Sequence, residues 1–538
     1  MTFRLSSTFS SLLKPPLLSV SPRITRHRMA SSQASAFGLK DPSLIKFQGL
    51  IGGKWVDAKD GAKIVVTNPS SNQELGTVPE MGLAETKEAI DAAAKAFPSW
   101  SSTTAKERHD ILMKMFTLMQ QHHDDLGRLI TLENGKTFAE GKVSMTYVWM
   151  YDLLHFRKVA LPYTIFLSIL EYIPAEEAVR TYGEHIPSAI KNVRNVVIKQ
   201  PVGTSIMTPW NFPSAMITRK LGAALAAGCT TVIKPPPETP FSALALAELA
   251  SRAGVPDGVI NVVTTEKNVS AVGKEMCESP IVRKVTFTGS TPVAKLLAGM
   301  AASTLKKVSL EAGGNAPFIV FDDANIDEAV AAAITCKFRG SGQTCVCANR
   351  IYVHSTVYAE FASRLAEKVA QFKVGDGLDE STTHGPLIHT RATQKVTRHV
   401  EDAISKGAQV LVGGKVVENT NFFQPTVLSD VPSDALINDE ETFGPLAALV
   451  KFDTESEVVA LANATPVGLA GYFFSRDVGR VWRVAEALEV GMVGVNTGMV
   501  SQVVIPFGGV KESGLGREGG PHGIDEYMNE KLIVFGGL

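Results

Sequence analysis

The stretch CTTVIKPPPETPFSALALAELASRAGVPDGVINVVTT, Cys229–Thr265, decides the fold. Its first apolar run ends at Lys234 and leaves into a proline-rich loop. Ser242–Val255 then carries a helical apolar face, and Gly258–Thr265 returns to a β-branched run. Strand, helix and strand with short connections form the unit from which parallel sheets are wound, because parallel neighbours need a crossover. The same alternation spreads outward. RKVTFTGSTPVAKLLAGMA, Arg283–Ala301, reads as strand, tight turn and helix, and APFIVFDD, NRIYVHS, AEFASRLAEKVAQF and GAQVLVGGK continue the rhythm. The chain has 538 residues, more than one hydrophobic core usually supports, so an α/β protein of more than one domain is expected.

Composition removes several function classes. The chain is 45% hydrophobic and 20% charged, with a formal net charge of −1, which leaves no electrostatic footprint for nucleic acid or an acidic membrane surface. Its five cysteines, Cys229, Cys277, Cys336, Cys345 and Cys347, are odd in number and mostly scattered, which points to a reducing compartment.

Two segments depart from the rest. MTFRLSSTFSSLLKPPLLSVSPRITRHRMASSQ carries Arg4, Lys14, Arg23, Arg26 and Arg28, many serines, and no acidic residue before Asp41. That composition suits a mitochondrial transit peptide; a disordered tail over residues 1–40, or a cytoplasmic protein begun at Met29, is the alternative. Ser144–Leu170 is aromatic and apolar but broken by Asp152, His155, Arg157 and Lys158. Its uncharged run is shorter than the roughly 20 residues a membrane span takes, so a buried helix is the plain expectation.

The clearest chemical signal is FRGSGQTCVCANR, Phe338–Arg350, where two cysteines lie two residues apart after a glycine-bearing run. No second Cys or His cluster completes a zinc site, so no metal is expected. A Cys345–Cys347 disulfide requires a sharply bent loop, core packing is the ordinary fate of a cysteine, and a nucleophile requires a partner. Glu311 ends a strand-like run before Gly313-Gly314, a setting in which a carboxylate faces a cavity and activates water. Asn211, between Trp210 and Phe212-Pro213, is an amide donor suited to a developing oxyanion. Taken singly, these residues read equally well as solvated glutamate and ordinary turn.

PWNFP, FTGST, LEAGGNAP, SGQTCVCANR, EETFGP and PFGGVKESGLGREG stand together in an order and spacing that resembles the aldehyde dehydrogenase superfamily from about Phe47 to Leu538. Within it, GQTCVCANR and ITRKLGAALAAGCTTVIKPPPETPFSALALAELA look like the succinate-semialdehyde dehydrogenase subfamily. The resemblance implies a Rossmann-like cofactor domain over residues 41–310, with bridging strands near 183–200. It further implies an α/β catalytic domain over 311–510 and an oligomerisation β-element over 511–538, giving a homotetramer or homodimer. It assigns Cys345 as nucleophile, Asn211 as oxyanion donor and Glu311 as base. NAD or NADP is expected against Trp210, Lys234, Gly289, Ser290, Glu441 and Phe443. A carboxylate of a small semialdehyde is expected at Arg219, Arg339 and Ser501. In some relatives the second cysteine of this motif, here Cys347, pairs with the nucleophile under oxidation.

The chain also departs from the pattern. Pro237 occupies the position of a glutamate that holds the ribose 2′-hydroxyl, with Glu238 beside it, so either dinucleotide is admissible. Ala294 replaces a second glycine in the FTGS turn, and Thr497 stands where an acidic residue is frequent. Ser144–Leu170 is roughly twenty residues longer than the pattern, beyond ordinary connection lengths, and reads as an unspliced stretch.

Overall fold

A computed structural model describes residues 37–144 and 174–538; the transit-peptide reading and all but the first residue of Ser144–Leu170 lie outside them. Thr231–Lys234, the helix Pro240–Ala253 and Ile260–Val262 form the expected crossover unit. Five strands run parallel in the order Ile260–Val262, Thr231–Lys234, Thr204–Met207, Lys284–Thr288 and Lys307–Glu311. The strand Lys284–Thr288 is buried along its whole length, which is why it reads as a continuous apolar and β-branched run rather than an alternation.

The helices after three of these strands share one device. Pro213–Ala227, Pro240–Ala253 and Thr291–Ala302 each carry proline in their first turn, where its missing N–H costs nothing and its φ suits the helix. Gly228 and Gly254 then stop the first two.

A second sheet of seven strands runs Gln409–Val412, Thr426–Ser429, Leu446–Phe452, Ala348–His354, Ala316–Val320, Ala470–Phe474 and Met492–Val495. It is parallel except at its edge, where Gln409–Val412 pairs antiparallel with Thr426–Ser429. The first sheet is edged the same way by the hairpin Gly49–Ile51 and Lys54–Val56, whose second strand is outermost, and by Gly514–Leu515, which returns from the far end of the chain to pair with Leu310 and Glu311. The apolar rhythm identifies strands but not their direction, because direction depends on where the connection lands.

A third, three-stranded antiparallel sheet joins Glu184–Ile186, Arg194–Pro201 and Met528–Phe535. Leu532, Val534 and Phe535 are about half exposed or more on it.

Candidate active site

Glu311 closes a strand of the first sheet, and Cys345 lies in the loop just before Ala348–His354 of the second. A Cβ at Gly314 would stand 2.5 Å from the Cys345 carbonyl oxygen, so glycine there lets the two segments approach. The turn Arg339–Gly342 aims the loop. Gly340, Ser341 and Gly342 all have left-handed φ, and a Cβ at Gly342 would sit 2.1 Å from the Gly444 carbonyl oxygen. Ser341 holds this costly conformation by donating its hydroxyl to the Gly385 carbonyl at 2.7 Å.

Cys345, Arg219, Arg339 and Ser501 line one pocket together with Lys136, Glu140, Phe212, Met499 and Phe507. Glu311 lies within electrostatic reach of the Cys345 thiol, and its Oε1 is buried without a hydrogen-bond partner among the described residues. Burial, and then the nearby Glu518 carboxylate, push Glu311 up to about 7. Burial, and then the charge of Glu311, hold the Cys345 thiol well above the ordinary cysteine range. Behind Glu311 the fully buried Lys220 pairs with Glu518 and donates to Thr288 Oγ1 at 2.6 Å.

Asn211 precedes the helix Pro213–Ala227. Its Nδ2 donates to the Gln343 carbonyl at 3.2 Å, two residues before Cys345, and its Oδ1 is buried without a partner among the described residues. Arg219 lies on the same helix. Its Nη2 donates to Ser501 Oγ at 3.4 Å, its Nη1 is 3.8 Å from Glu518, and its guanidinium stacks 4.4 Å from the Phe507 ring. Arg339 approaches from the other side, with Nη1 at 3.4 Å from Met499 Sδ. The surface reading of these arginines does not hold. Arg219 is 8% exposed, and both guanidinium groups are turned into the pocket.

The residues expected around a dinucleotide gather at the ends of the parallel strands. Lys234 ends its strand, and burial lowers its ammonium pKa. Ser290 caps the helix Thr291–Ala302 without a side-chain cap bond, next to Gly289, leaving a helix N-terminus for an anion. Thr208, whose N–H donates to the Lys234 carbonyl at 3.4 Å, keeps a buried hydroxyl without a partner among the described residues. Glu441 accepts from the Gly314 N–H at 3.2 Å, and burial pushes its carboxyl up to about 7. Phe443, at φ 55, meets Trp210 edge-on with ring centroids 5.6 Å apart. An orphaned hydroxyl, an open helix end and a cation at a strand terminus suit a phosphorylated sugar, so these residues fit a dinucleotide.

Cys347 turns away from the pocket. It is 7% exposed, its Sγ donates to the Lys337 carbonyl at 3.6 Å, and all five cysteines are free. Lys136 and Glu140 were not legible as pocket residues. They come from a segment 200 residues earlier in the chain, with no sequence signal beyond a Gly-Lys pair after a helix. Among the described residues no three His, Cys, Asp or Glu side chains gather as metal donors.

The sequence matches one family description, "Aldehyde dehydrogenase family", over residues 55–533. The chain belongs to the aldehyde dehydrogenase family. It is 54% identical over 500 residues to the NADP(+) succinate-semialdehyde dehydrogenase of Escherichia coli (strain K12), covering 93% of this chain and 99% of that one. It is also 54% identical over 496 residues to a glutarate-semialdehyde dehydrogenase of Pseudomonas putida (strain KT2440), covering 92% of this chain and 99% of that one. Among solved structures, the succinate-semialdehyde dehydrogenase of Burkholderia pseudomallei superposes with a TM-score of 0.87 at 50% identity, covering 93% of this chain and all of that one. As in other aldehyde dehydrogenases, the frame is a mixed α/β fold whose parallel sheets meet at the site. No helix among the described residues is long and apolar enough to cross a membrane.

Proposed function

We propose that this aldehyde dehydrogenase oxidises succinate semialdehyde to succinate with NAD or NADP, as a step of 4-aminobutyrate breakdown. The observation that carries the reading is the pairing of Arg219 and Ser501 in the pocket that also holds Cys345 and Arg339. A substrate carboxylate between two guanidinium groups receives bidentate, permanently charged donors, and its aldehyde end then points to the thiol.

Glu311 takes the Cys345 proton, since it lies within electrostatic reach of the thiol and burial has raised its pKa to about 7. The thiolate attacks the carbonyl carbon and forms a thiohemiacetal. The Asn211 side-chain amide, together with the Cys345 N–H, stabilises its oxyanion. A nicotinamide dinucleotide bound here would supply the hydride acceptor that turns the thiohemiacetal into a thioester on Cys345. Glu311 passes the thiol proton to solvent, and in its ionised form it then removes a proton from the water that hydrolyses the thioester; the acid leaves as the Cys345 thiolate is expelled. Lys234, Thr208, Gly289 and Ser290 would hold the dinucleotide's adenosine and phosphate end, while Glu441, Phe443 and Trp210 would hold the nicotinamide end.

Glutarate semialdehyde is the second reading, favoured by the 54% identity to the Pseudomonas putida relative. The extra methylene moves the carboxylate about 1.3 Å further from the carbonyl, a difference a pocket discriminates only weakly. Initial rates of NAD and NADP reduction with succinate semialdehyde, glutarate semialdehyde and butanal, under thiol reductant, separate the readings. A higher kcat/KM for succinate semialdehyde supports the first, a higher value for the longer acid establishes the second, and equal rates with butanal remove the carboxylate clamp.

The same reading divides the chain into a cofactor domain over 41–310, a catalytic domain over 311–510 and a C-terminal oligomerisation segment. The exposed apolar side chains of Met528–Phe535 support self-association as a dimer or tetramer, which sedimentation would test. The basic, acid-free N-terminal residues support mitochondrial import, which a reporter fused to residues 1–40 would test.

A further inference from the structure

Lys136 is a buried lysine at the wall of the catalytic pocket, and the proposed chemistry leaves it without a task. It follows the helix His123–Asn134, which ends at Gly135. Two side chains of this turn reach one short segment of the Trp210-Asn211-Phe212 loop. Asn134 Nδ2 donates to the Trp210 carbonyl at 2.9 Å, and Lys136 Nζ donates to the Asn211 carbonyl at 2.5 Å. The same Nζ stands 3.2 Å from the centre of the Phe212 ring. Three consecutive residues are thus gripped from one turn, at the carbonyl before Asn211, at its own carbonyl, and on the ring that follows.

The Asn211 side chain has no comparable anchor. Its Nδ2 bonds one carbonyl at 3.2 Å and its Oδ1 bonds nothing among the described residues. The aim of its amide is therefore set by the backbone from which it hangs, and that backbone is held by Lys136. Burying an ammonium is costly, and burial lowers Lys136 to about 7; the bond to the carbonyl survives in either protonation state, because both the ammonium and the neutral amine donate.

We propose that Lys136 is a positioning residue for the oxyanion donor. It acts through Asn211, fixing the carbonyl so that the amide meets the oxygen as it becomes negative, and it makes no contact with the substrate carboxylate. The inference rests on the reading of Asn211 as that donor.

A double-mutant cycle of Lys136→Met and Asn211→Ala in the full-length enzyme tests it, with succinate semialdehyde and butanal as substrates and melting curves to verify folding. Removing an oxyanion donor costs about 100- to 1000-fold in kcat, and misaiming one costs a part of that, about 10- to 100-fold. Lys136→Met is expected to lower kcat by this smaller factor on both aldehydes with KM within about threefold, and the double variant is expected to match Asn211→Ala alone. If Lys136→Met does not fold, Lys136→Gln goes through the same cycle. Losses that multiply in the double variant overturn the proposal, since Lys136 then acts independently of Asn211. A loss confined to the KM of the charged aldehyde overturns it too, by making Lys136 a carboxylate contact. Full activity of Asn211→Ala overturns the oxyanion reading itself, and the inference with it.

Discussion

Arg219 Nη2 donates to Ser501 Oγ at 3.4 Å, bridging 282 residues of chain. The hydroxyl fixes one edge of a guanidinium that is also stacked on Phe507 and drawn toward Glu518, so the group is oriented before substrate arrives. Pre-orientation lowers the rotamer entropy lost on binding.

Replacing Arg219 by Met is therefore expected to raise KM for succinate semialdehyde. A charge-assisted hydrogen bond contributes about 1.5–3 kcal/mol, which at about 1.4 kcal/mol per tenfold gives roughly 10- to 150-fold. The KM for butanal should stay within about threefold. Steady-state kinetics on the two aldehydes checks this, and an equal loss on both would place Arg219 outside the carboxylate site.

Glu311 is expected to set the acid limb of the rate profile. Its pKa is raised to about 7, so the ionised base disappears as pH falls through 7 and kcat/KM should drop about tenfold per unit below it. Glu311→Gln should lose about 10²- to 10⁴-fold in kcat and lose that limb. Stability moves the opposite way. Between the ordinary value of 4.5 and about 7 the folded protein holds a proton that the unfolded chain has released, so this group makes stability fall as pH rises through that window. The Gln variant should melt higher than the parent at pH 8, and the gap should narrow toward pH 4.5.

Pro237 is expected to govern the tolerance for the 2′-phosphate. It and Glu238 are partly exposed beside the strand end at Lys234. Pro237→Glu supplies a carboxylate that accepts from a ribose hydroxyl and repels a phosphate, a hydrogen bond of about 0.5–1.5 kcal/mol plus like-charge repulsion. The ratio of kcat/KM for NAD over NADP should rise by about tenfold or more. An unchanged ratio would remove position 237 from the adenosine ribose site.

Cys347, buried and bonded to the Lys337 carbonyl, is expected to be dispensable for turnover. Cys347→Ala should keep kcat within about twofold under reductant and lose about 1 kcal/mol of stability from the removed sulfur contacts. Alkylation of Cys345 by iodoacetamide should proceed equally in both proteins. A large kcat loss with normal melting would give Cys347 a role in the chemistry.

Much of the frame was legible because its causes are local. Pro240 opens a helix, Gly254 closes it and β-branched runs flank it, all within 37 residues. Cys345, Glu311 and Asn211 stood out because their types and neighbours suit the chemistry. What escaped were relationships between distant segments. Gln409–Val412 and Gly514–Leu515 run antiparallel at the edges of parallel sheets, a choice made by where the chain returns. Lys136 carries no local mark of its place, because a lysine after a helix is ordinarily a solvated cap.

The sequence by itself determined the strand–helix units, the family and the reactive residue types, since propensity, turn chemistry and motif spacing act along the chain. Only the tertiary structure decided that Arg219 and Arg339 face one pocket, that Glu311 comes within electrostatic reach of Cys345, and that Lys136 grips the Asn211 backbone. Those contacts exist because packing two sheets excludes water and obliges each buried polar group to find a partner across it.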